Sequence, residues 1–549
     1  MALTAADNEW FIRNNWEVGR NVLVFRLSVI VWFAAIWLQQ SIAQVTVYVS
    51  PTGSDTNPGT VDQPFKSIPK GMNTIGTNGL VVLRGGVHVL GTSKLSLGKI
   101  AQAGSTIRIW AYPGETPVLD CTGNTSDGIS ISGSYYHLKG IEQRNAGHNG
   151  INISGNNNII ENCSVHDNQN TGLHLTGSAA PGPSNNLILN CDAYRNYDPP
   201  IGGNADGFSA KWTVGPGNVF RGCRAYNNSD DGWDLWMGTG SVLIDSCFAF
   251  RNGVDVWHSG SFDGNGNGFK LGGNFVSTRH TVRNCVSFDN AANTGRGFDE
   301  NNNPAGQTLY NCTAFRNKGD NFHFRNTVDS GQTHVIKNCI SLEGVVGISS
   351  GVQDKNSWQG FTVSTADFLS IDTAVVTAPR NPDGSLRANA FLHLAPTSPM
   401  IDAGVSVGLP YSGRAPDLGA FESGPLTVIG EHREVAPAFR LEQNYPNPFS
   451  AGGGSAFGGN PRTVISYQVP APSARQTANG LGVEGSAVSV VTLKVYDALG
   501  REVARIVDSE QPTGSYRIDF NANTLPSGVY FARLQAGQFS KTIKLILTK

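Results

Sequence analysis

Between about residues 140 and 340 the apolar positions recur with a repeated unit and not with the turn of a helix. Cys163, Cys191, Cys223, Cys247, Cys285 and Cys312 are each followed three residues later by a ring, at His166, Tyr194, Tyr226, Phe250, Phe288 and Phe315. Five residues after each Cys stands an Asn: Asn168, Asn196, Asn228, Asn252, Asn290 and Asn317. Cys339 begins a degraded further copy, and residues 140–145 an earlier one. A glycine followed by an apolar residue precedes each Cys, at Gly150, Gly172, Gly207, Gly232, Gly268 and Gly297, with Asn321-Phe322 in the same place at the next turn. Short apolar alternations punctuated by Asn and Gly predict short strands, and one coil per repeat is the simplest structure such a period encodes.

In a parallel β-helix, equivalent positions of successive coils stack about 4.8 Å apart. Small Cys, stacked rings and Asn suit such ladders, because a side-chain amide can bond its neighbours above and below while Asn tolerates left-handed backbone. The cysteines are therefore expected as a column of buried thiols. Disulfides are the alternative, but ladder neighbours point the same way and are poorly aimed for a bridge.

Before the coils, residues 45–50 predict a strand, 51–64 a loop, 65–75 a short helix covering the open end of the solenoid, and 80–88 a strand with a glycine bend. The coils are expected from about 107 to 351. Residues 354–422 lose the repeat and are expected to pack along and over the end of the coils. Past residue 441, alternating segments at 491–496, 528–534 and 539–547 predict a small β-sandwich. The expectation is an all-β protein: a parallel β-helix domain over 44–422, a linker at 423–440 and a sandwich at 441–549.

Composition narrows the function. Sixty-six glycines and 15% charged residues suit a turn-rich β protein, and a formal charge of −2 argues against nucleic acid or an anionic membrane as partner. Residues 22–38 are apolar apart from Arg26 and Ser28, and Ser41-Ile42-Ala43 follows as a small-residue cleavage site. Residues 1–43 therefore predict a signal peptide, with a single membrane anchor as the alternative; the mature chain is expected to have no membrane span and to be a monomer.

The candidate chemistry lies where the repeat is interrupted. From turn Asn to next glycine is four residues in three coils, but eleven from Asn196 to Gly207 and sixteen from Asn252 to Gly268. Long excursions on a regular scaffold are where binding surfaces are built. Asp206 precedes Gly207 and Asp231 precedes Gly232, so the two share a rung position on adjacent coils. Asp230 stands beside them, and Asp234 lies two residues past Gly232. Four hard oxygen donors fit Ca²⁺ better than Zn²⁺, which would want His or Cys. Lys270, two residues past Gly268, is the expected rung-mate of Asp234: either its salt-bridge partner or, with a dication lowering its pKa, a general base.

Asp206, Asp230, Asp231, Asp234 and Lys270 on this Cys/Asn-laddered pattern resemble the calcium ligands and catalytic base of the polysaccharide lyase family 9 pectate lyases. The resemblance extends to the opening Tyr48-Val-Ser-Pro-Thr-Gly-Ser-Asp55 and Arg84-Gly-Gly and to the closing Pro416-Asp-Leu-Gly-Ala-Phe-Glu422, covering about residues 45–422. It implies a right-handed parallel β-helix, bound Ca²⁺, and β-elimination on α-1,4-galacturonan, the polygalacturonate of plant pectate. On that reading Lys211, Arg251, Arg279 and Arg296, together with Arg221, would contact neighbouring uronates, ordinary surface charge being the alternative for each. Trp212, Trp236 and Trp257 are candidate sugar platforms, while Trp233 holds an inward, core position.

The last 110 or so residues resemble the C-terminal sorting domain of the type IX secretion system, in Asn444-Tyr-Pro-Asn-Pro-Phe449, Val495-Tyr-Asp-Ala-Leu-Gly-Arg501, Leu525-Pro-Ser-Gly-Val-Tyr-Phe531 and the closing residues 541–549. That implies a secretion machinery as partner and a secreted or cell-surface location; an adhesive or carbohydrate-binding sandwich is the alternative. Three rival functions remain at this stage: a glycoside hydrolase using the clustered acids, a lyase on another uronan, and a non-catalytic surface β-helix with structural calcium.

Overall fold

The computed structural model describes residues 44–292, 294–424, 440–441, 443–444, 447–450, 461–469, 488–512, 514–536 and 539–549. The expected leader at 1–43 lies outside them, as does most of the expected linker. Three parallel sheets run the length of the coils. One has twelve strands, from Thr46–Val49 to Val352–Asp354; the other two have ten each, from Gly86–Val89 to Ile340–Leu342 and from Leu95–Leu97 to Val345–Ile348. The coils begin earlier than expected, since Leu80–Leu83, Gly86–Val89 and Leu95–Leu97 already contribute one strand to each sheet. Their interior is aliphatic, with Leu95, Leu97, Ile129 and Ile131 buried, so the Cys and Asn marks of the later coils are missing there. The helix forms at Ile68–Thr74, capped by the Ser67 side chain, and buries Ile68, Gly71 and Met72 against Val47, Val49 and Val81.

The amide ladder is continuous. Asn168 donates to Asn196 (2.9 Å), Asn196 to Asn228 (2.8 Å), Asn228 to Asn252 (3.0 Å), Asn252 to Asn290 (3.0 Å), Asn290 to Asn317 (2.8 Å) and Asn317 to Asn321 (2.9 Å). In the degraded coil before them Gln143 donates to Asn168 at 2.9 Å and closes the ladder. The left-handed backbone is not at the ladder Asn, as expected, but one residue earlier, at Asp167, Arg195, Asn227, Arg251, Asp289 and Arg316. A second left-handed column stands immediately before the cysteines, at Asn162, Asn190, Gly222, Ser246, Asn284, Asn311 and Asn338. Each coil therefore turns at a residue held at positive φ, which leaves the ladder amide free to face inward.

The same ladder explains the repeated glycines. A Cβ at Gly232 would come within 2.6 Å of the Gly268 carbonyl and 2.9 Å of the Asn252 amide; at Gly207 it would meet Ala225 at 2.6 Å and the Asn228 amide at 2.8 Å. All eight cysteines are free and buried. Beside them Phe208, Trp233, Phe269, Phe298 and Phe322 stack at 4.8–5.1 Å, which puts Trp233 in the core.

The second ring column, His166, Tyr194, Tyr226, Phe250 and Phe288, stacks at 4.5–4.9 Å on the outside of its sheet. Residues 354–422 lie over this face: Phe368, Leu386, Phe391, Leu394 and Met400 bury against Phe250, Phe288 and Phe315. The segment is pinned by a buried ionic triad. Asp192 accepts from Arg224 at 2.6 and 2.8 Å and from Arg380 at 2.6 Å, while Arg224 donates to the Val376 and Ala378 carbonyls and Arg380 to those of Cys191 and Gly222. The C-terminal unit has a three-stranded sheet containing Arg462–Val469 and a five-stranded sheet containing Val488–Tyr496, Gly528–Ala536 and Phe539–Thr548, closed over Leu493, Val495, Leu534 and Leu545.

Burial alone would raise the Asp192 carboxyl, but Arg380 and Arg224 bring it down to about 2. A depressed carboxyl stabilises the fold above its unfolded pKa and loses that contribution as pH falls through the folded one. Asp192→Ala strands two buried guanidiniums and is expected to cost about 3–5 kcal/mol at neutral pH. Urea unfolding should show that deficit narrowing between about pH 4 and pH 2; a constant deficit would place the loss in packing and not in the ion triad.

Candidate functional site

The site sits on the outer face of the third sheet, at positions set by strand register. Phe208, Trp233 and Phe269 pair in sequence, so Ser209, Asp234, Lys270 and Asp299 form one outward row. Three residues earlier, the Gly207 N–H donates to the Asp231 carbonyl (2.9 Å) and the Gly232 N–H to that of Asn267 (2.8 Å), which stacks Asp206, Asp231 and Asn267 in a second row. The two long excursions close one side. Asp198 accepts from the Asn204 and Ala205 N–H groups, Asp263 N–H bonds the Ile201 carbonyl at 2.8 Å, and Tyr197 stacks on Trp257 at 4.8 Å. The second excursion also reaches the acids: the Asn265 N–H donates to Asp230 Oδ1 (2.6 Å) and the Asn267 N–H to Asp231 Oδ1 (2.7 Å).

Asp206, Asp230, Asp231 and Asp234 each bring a carboxylate oxygen within 4.8 Å of the others, and none is more than 2% exposed. Lys270 Nζ lies 3.3 Å from Asp234 Oδ2 and 3.0 Å from Asp231 Oδ2, the latter without hydrogen-bond geometry. Lys211 is not a surface charge. It is buried beside the same acids, 2.8 Å from Asp206 Oδ2 and 2.6 Å from Asp234 Oδ2. Sequence spacing missed this because Lys211 follows a strand one coil before Asp234, four residues past Gly207, and reaches the cluster only through the length of its side chain.

Four carboxylates against two ammoniums leave an uncompensated negative charge in a buried place. Burial pushes the Asp206, Asp230 and Asp231 carboxyls upward, Asp206 to about 7, and neighbouring carboxylates add to the shift. Asp234, against the same burial, is held low by Lys211 and Lys270. Burial would lower both lysines, but their carboxylate partners raise them instead. Clustered hard oxygens, already oriented by backbone N–H groups and short of positive charge, fit a divalent cation such as Ca²⁺.

The other candidates are dispersed. Arg296 follows Asn267 in the second row and pairs with Asp299, the rung-mate of Lys270, at 2.9 Å. Arg279 donates to Gln332 at 2.9 Å at the far end of its strand turn, and Arg251 donates to Thr373 of the trailing segment at 2.9 Å, on a different sheet. Arg221 pairs with Asp245. Trp212 is 46% exposed and stands edge-on to Trp236 and His174 beside Lys211. His174 and His323 lie in the Lys270 row, three rungs before it and two after.

A family model described as the Pel9A-like right-handed β-helix region matches residues 47–338, and one described as a secretion system C-terminal sorting domain matches residues 470–548. Pectate lyase L of Dickeya chrysanthemi is 39% identical over 389 residues, covering 68% of this chain and 90% of the relative. Pectate lyase PEL9 of Emericella nidulans is 31% identical over 410 residues, covering 66% and 95%. The crystal structure of pectate lyase Pel9A superposes with a TM-score of 0.66 at 38% identity, over 69% of this chain and 97% of that one. A rhamnogalacturonan lyase structure gives 0.57 at 30% identity, over 64% and 97%.

The raised Asp206 carboxyl has a measurable consequence. Between its ordinary value of 3.8 and about 7, folded protein holds a proton that unfolded protein releases, so stability falls as pH rises through that window, by at most about 1.4 kcal/mol per pH unit. In chelator, wild type is expected to lose unfolding midpoint relative to Asp206→Asn between pH 4 and pH 7. A gap independent of pH over that range would contradict the shift.

Proposed function

The chain belongs to the Pel9A-like right-handed β-helix family and is a polysaccharide lyase, and we propose that it is an exported, calcium-dependent pectate lyase with Lys270 as its base. The observation that carries this reading is the contact of Lys270 Nζ with Asp231 and Asp234, two of the four clustered carboxylates. Asp206, Asp230, Asp231 and Asp234 would hold Ca²⁺, and the ion when bound would supply Lewis-acid polarisation of the substrate's carboxylate. With the charge of Asp231 and Asp234 satisfied in this way, Lys270 would lose the contacts that keep it protonated, and burial would favour its neutral form.

Neutral Lys270 takes the proton from C5 of the uronate. The electron pair left behind forms the C4–C5 double bond, and the C4–O bond breaks to release the preceding chain, with its oxygen reprotonated from solvent. The product carries a 4,5-unsaturated end. Backbone N–H groups of Asn265 and Asn267 hold Asp230 and Asp231 in place throughout. Arg296, next after Asn267 in the second row and paired with Asp299, would meet a further uronate along the sheet, and Lys211 lies against the acid cluster beside the substrate's reacting unit; Arg251 and Arg279 are engaged elsewhere and are not assigned to substrate.

The substrate follows from the relatives, which are named as pectate lyases, and is taken as α-1,4-galacturonan. The rhamnogalacturonan lyase structure favours one second reading, a galacturonan interrupted by neutral sugars. Export through a type IX secretion machinery is proposed from the sorting domain, with residues 1–43 as a signal peptide, 44–422 as the lyase domain of a monomer, 423–440 as linker and 441–549 as the sorting domain. No helix among the described residues is long and apolar enough to cross a membrane.

Ultraviolet absorbance of the unsaturated product on polygalacturonate tests the reading. Wild type should generate it, a chelator should abolish it, and Lys270→Ala should lower the rate by about 10²- to 10⁴-fold. Since the base must be uncharged, wild-type rate should rise toward alkaline pH; Lys270→Arg retaining both the rate and the pH profile would remove Lys270 from the role. Turnover on rhamnogalacturonan alone would select the second reading.

A further inference from the structure

We propose that Lys211 is the resident counter-ion of the acid cluster, competing with the divalent cation for Asp206 and Asp234. The inference rests on the cation site proposed above, but its evidence is the arrangement of the lysine itself. Lys211 Nζ bridges Asp206 Oδ2 at 2.8 Å and Asp234 Oδ2 at 2.6 Å, and among the described residues its ammonium has no other ion-pair or hydrogen-bond partner. Among the described residues, neither of these two oxygens accepts from a backbone N–H. Asp234 Oδ1 is already taken by the Trp236 N–H at 2.9 Å, Asp206 Oδ1 faces the Asp231 N–H at 3.4 Å, and Asp206 Oδ2 accepts only the Thr171 hydroxyl besides Lys211.

Lys270 occupies a different place. It approaches from the following coil, lies 3.0 Å from Asp231 Oδ2 without hydrogen-bond geometry, and donates to Asp234 Oδ2 at 3.3 Å. The two lysines thus share Asp234 Oδ2, with Lys211 the closer, while Lys211 alone pairs with Asp206 and Lys270 alone with Asp231. Two of the four acids would lose their closest cationic partner without Lys211, and buried carboxylates without partners are costly. An ammonium bridging two metal-ligand oxygens cannot remain between them beside a dication, because like charges a few ångströms apart in a buried site repel strongly. Lys211 therefore keeps the metal-free site folded and at the same time opposes cation entry. Its side chain keeps 11% exposure, so the ammonium is not sealed from solvent.

Calcium titration calorimetry on wild type and Lys211→Met tests this in the full chain, without substrate. The variant is expected to bind calcium roughly tenfold or more tightly than wild type, from the lost repulsion. Its chelated form should melt at lower temperature and its calcium-loaded form should not. In wild type, calcium should raise the acylation rate of Lys211, read by mass spectrometry against the exposed lysines. Unchanged or weaker calcium binding in the variant would overturn the proposal and make Lys211 a group that orients the acids; unchanged acylation in wild type would overturn it as well. If Lys211→Met does not fold, Lys211→Gln keeps a donor for Asp206 while removing the charge, and the same expectations apply. Wild type that takes up no calcium would remove the cation site itself, whereas wild-type binding with no tightening in the variant removes only the role of Lys211.

Discussion

The side-chain amide ladder holds each coil of this β-helix in register with the next. Parallel strands three residues long carry too few backbone bonds to resist slippage, and a slip of one residue would turn every inward side chain outward. Five consecutive Asn–Asn bonds, each between one coil and the next, fix that register, and Asn317 to Asn321, four residues apart, ends the ladder. They require a glycine where the following strand begins and a left-handed residue at the turn. Those requirements give the repeat its sequence signature.

The chemistry depends on that register directly. Asp206 lies against Asp231, and Asp234 against Lys270, only because Phe208, Trp233 and Phe269 stack in the core behind them. The outward positions of the same strands carry no stacking duty, so charged residues are free to occupy them. Burying four carboxylates on this face is unfavourable. The scaffold offsets the cost with backbone donors from the second excursion and with two lysines, leaving a residual negative charge suited to a dication. Burial here comes from the excursions at 197–206 and 253–267, which wall one side of the cluster; a regular coil would leave the acids in solvent.

The periodic parts of this arrangement were legible in the sequence. The cysteine column, the amide ladder and the stacking of Asp206 on Asp231 all follow from constant offsets within the repeat, and offsets survive without any knowledge of side-chain conformation. What escaped was of two kinds. The first coils were invisible because Leu and Ile fill an interior as well as Cys does and leave no distinctive mark. The place of Lys211 among the acids was hidden because a long flexible side chain belongs to no fixed offset, and only its ammonium reaches the cluster. The N–H donors of Asn265 and Asn267 were hidden for a related reason, since irregular loops have no period to read. The left-handed residue was placed one position late, because Asn was credited with both the turn and the ladder when neighbouring residues share those tasks.

The same repeat presents three different faces, and the trailing segment shows why one of them is closed to a site. On the sheet bearing Tyr226, Phe250 and Phe288, the outward position is a ring, which stacks along the coils but exposes apolar surface that must be covered. Residues 354–422 provide the cover, and the Arg380–Asp192–Arg224 triad fixes where it lies. A guanidinium that bonds two backbone carbonyls and a buried carboxylate at once has little freedom to shift along the sheet. Arg251 is drawn into this cover through Thr373, which removes it from the substrate face that its sequence position had suggested. On the sheet carrying the acids the outward row is polar throughout, from His174 through Ser209, Asp234, Lys270 and Asp299 to His323, so it needs no apolar cover of that kind.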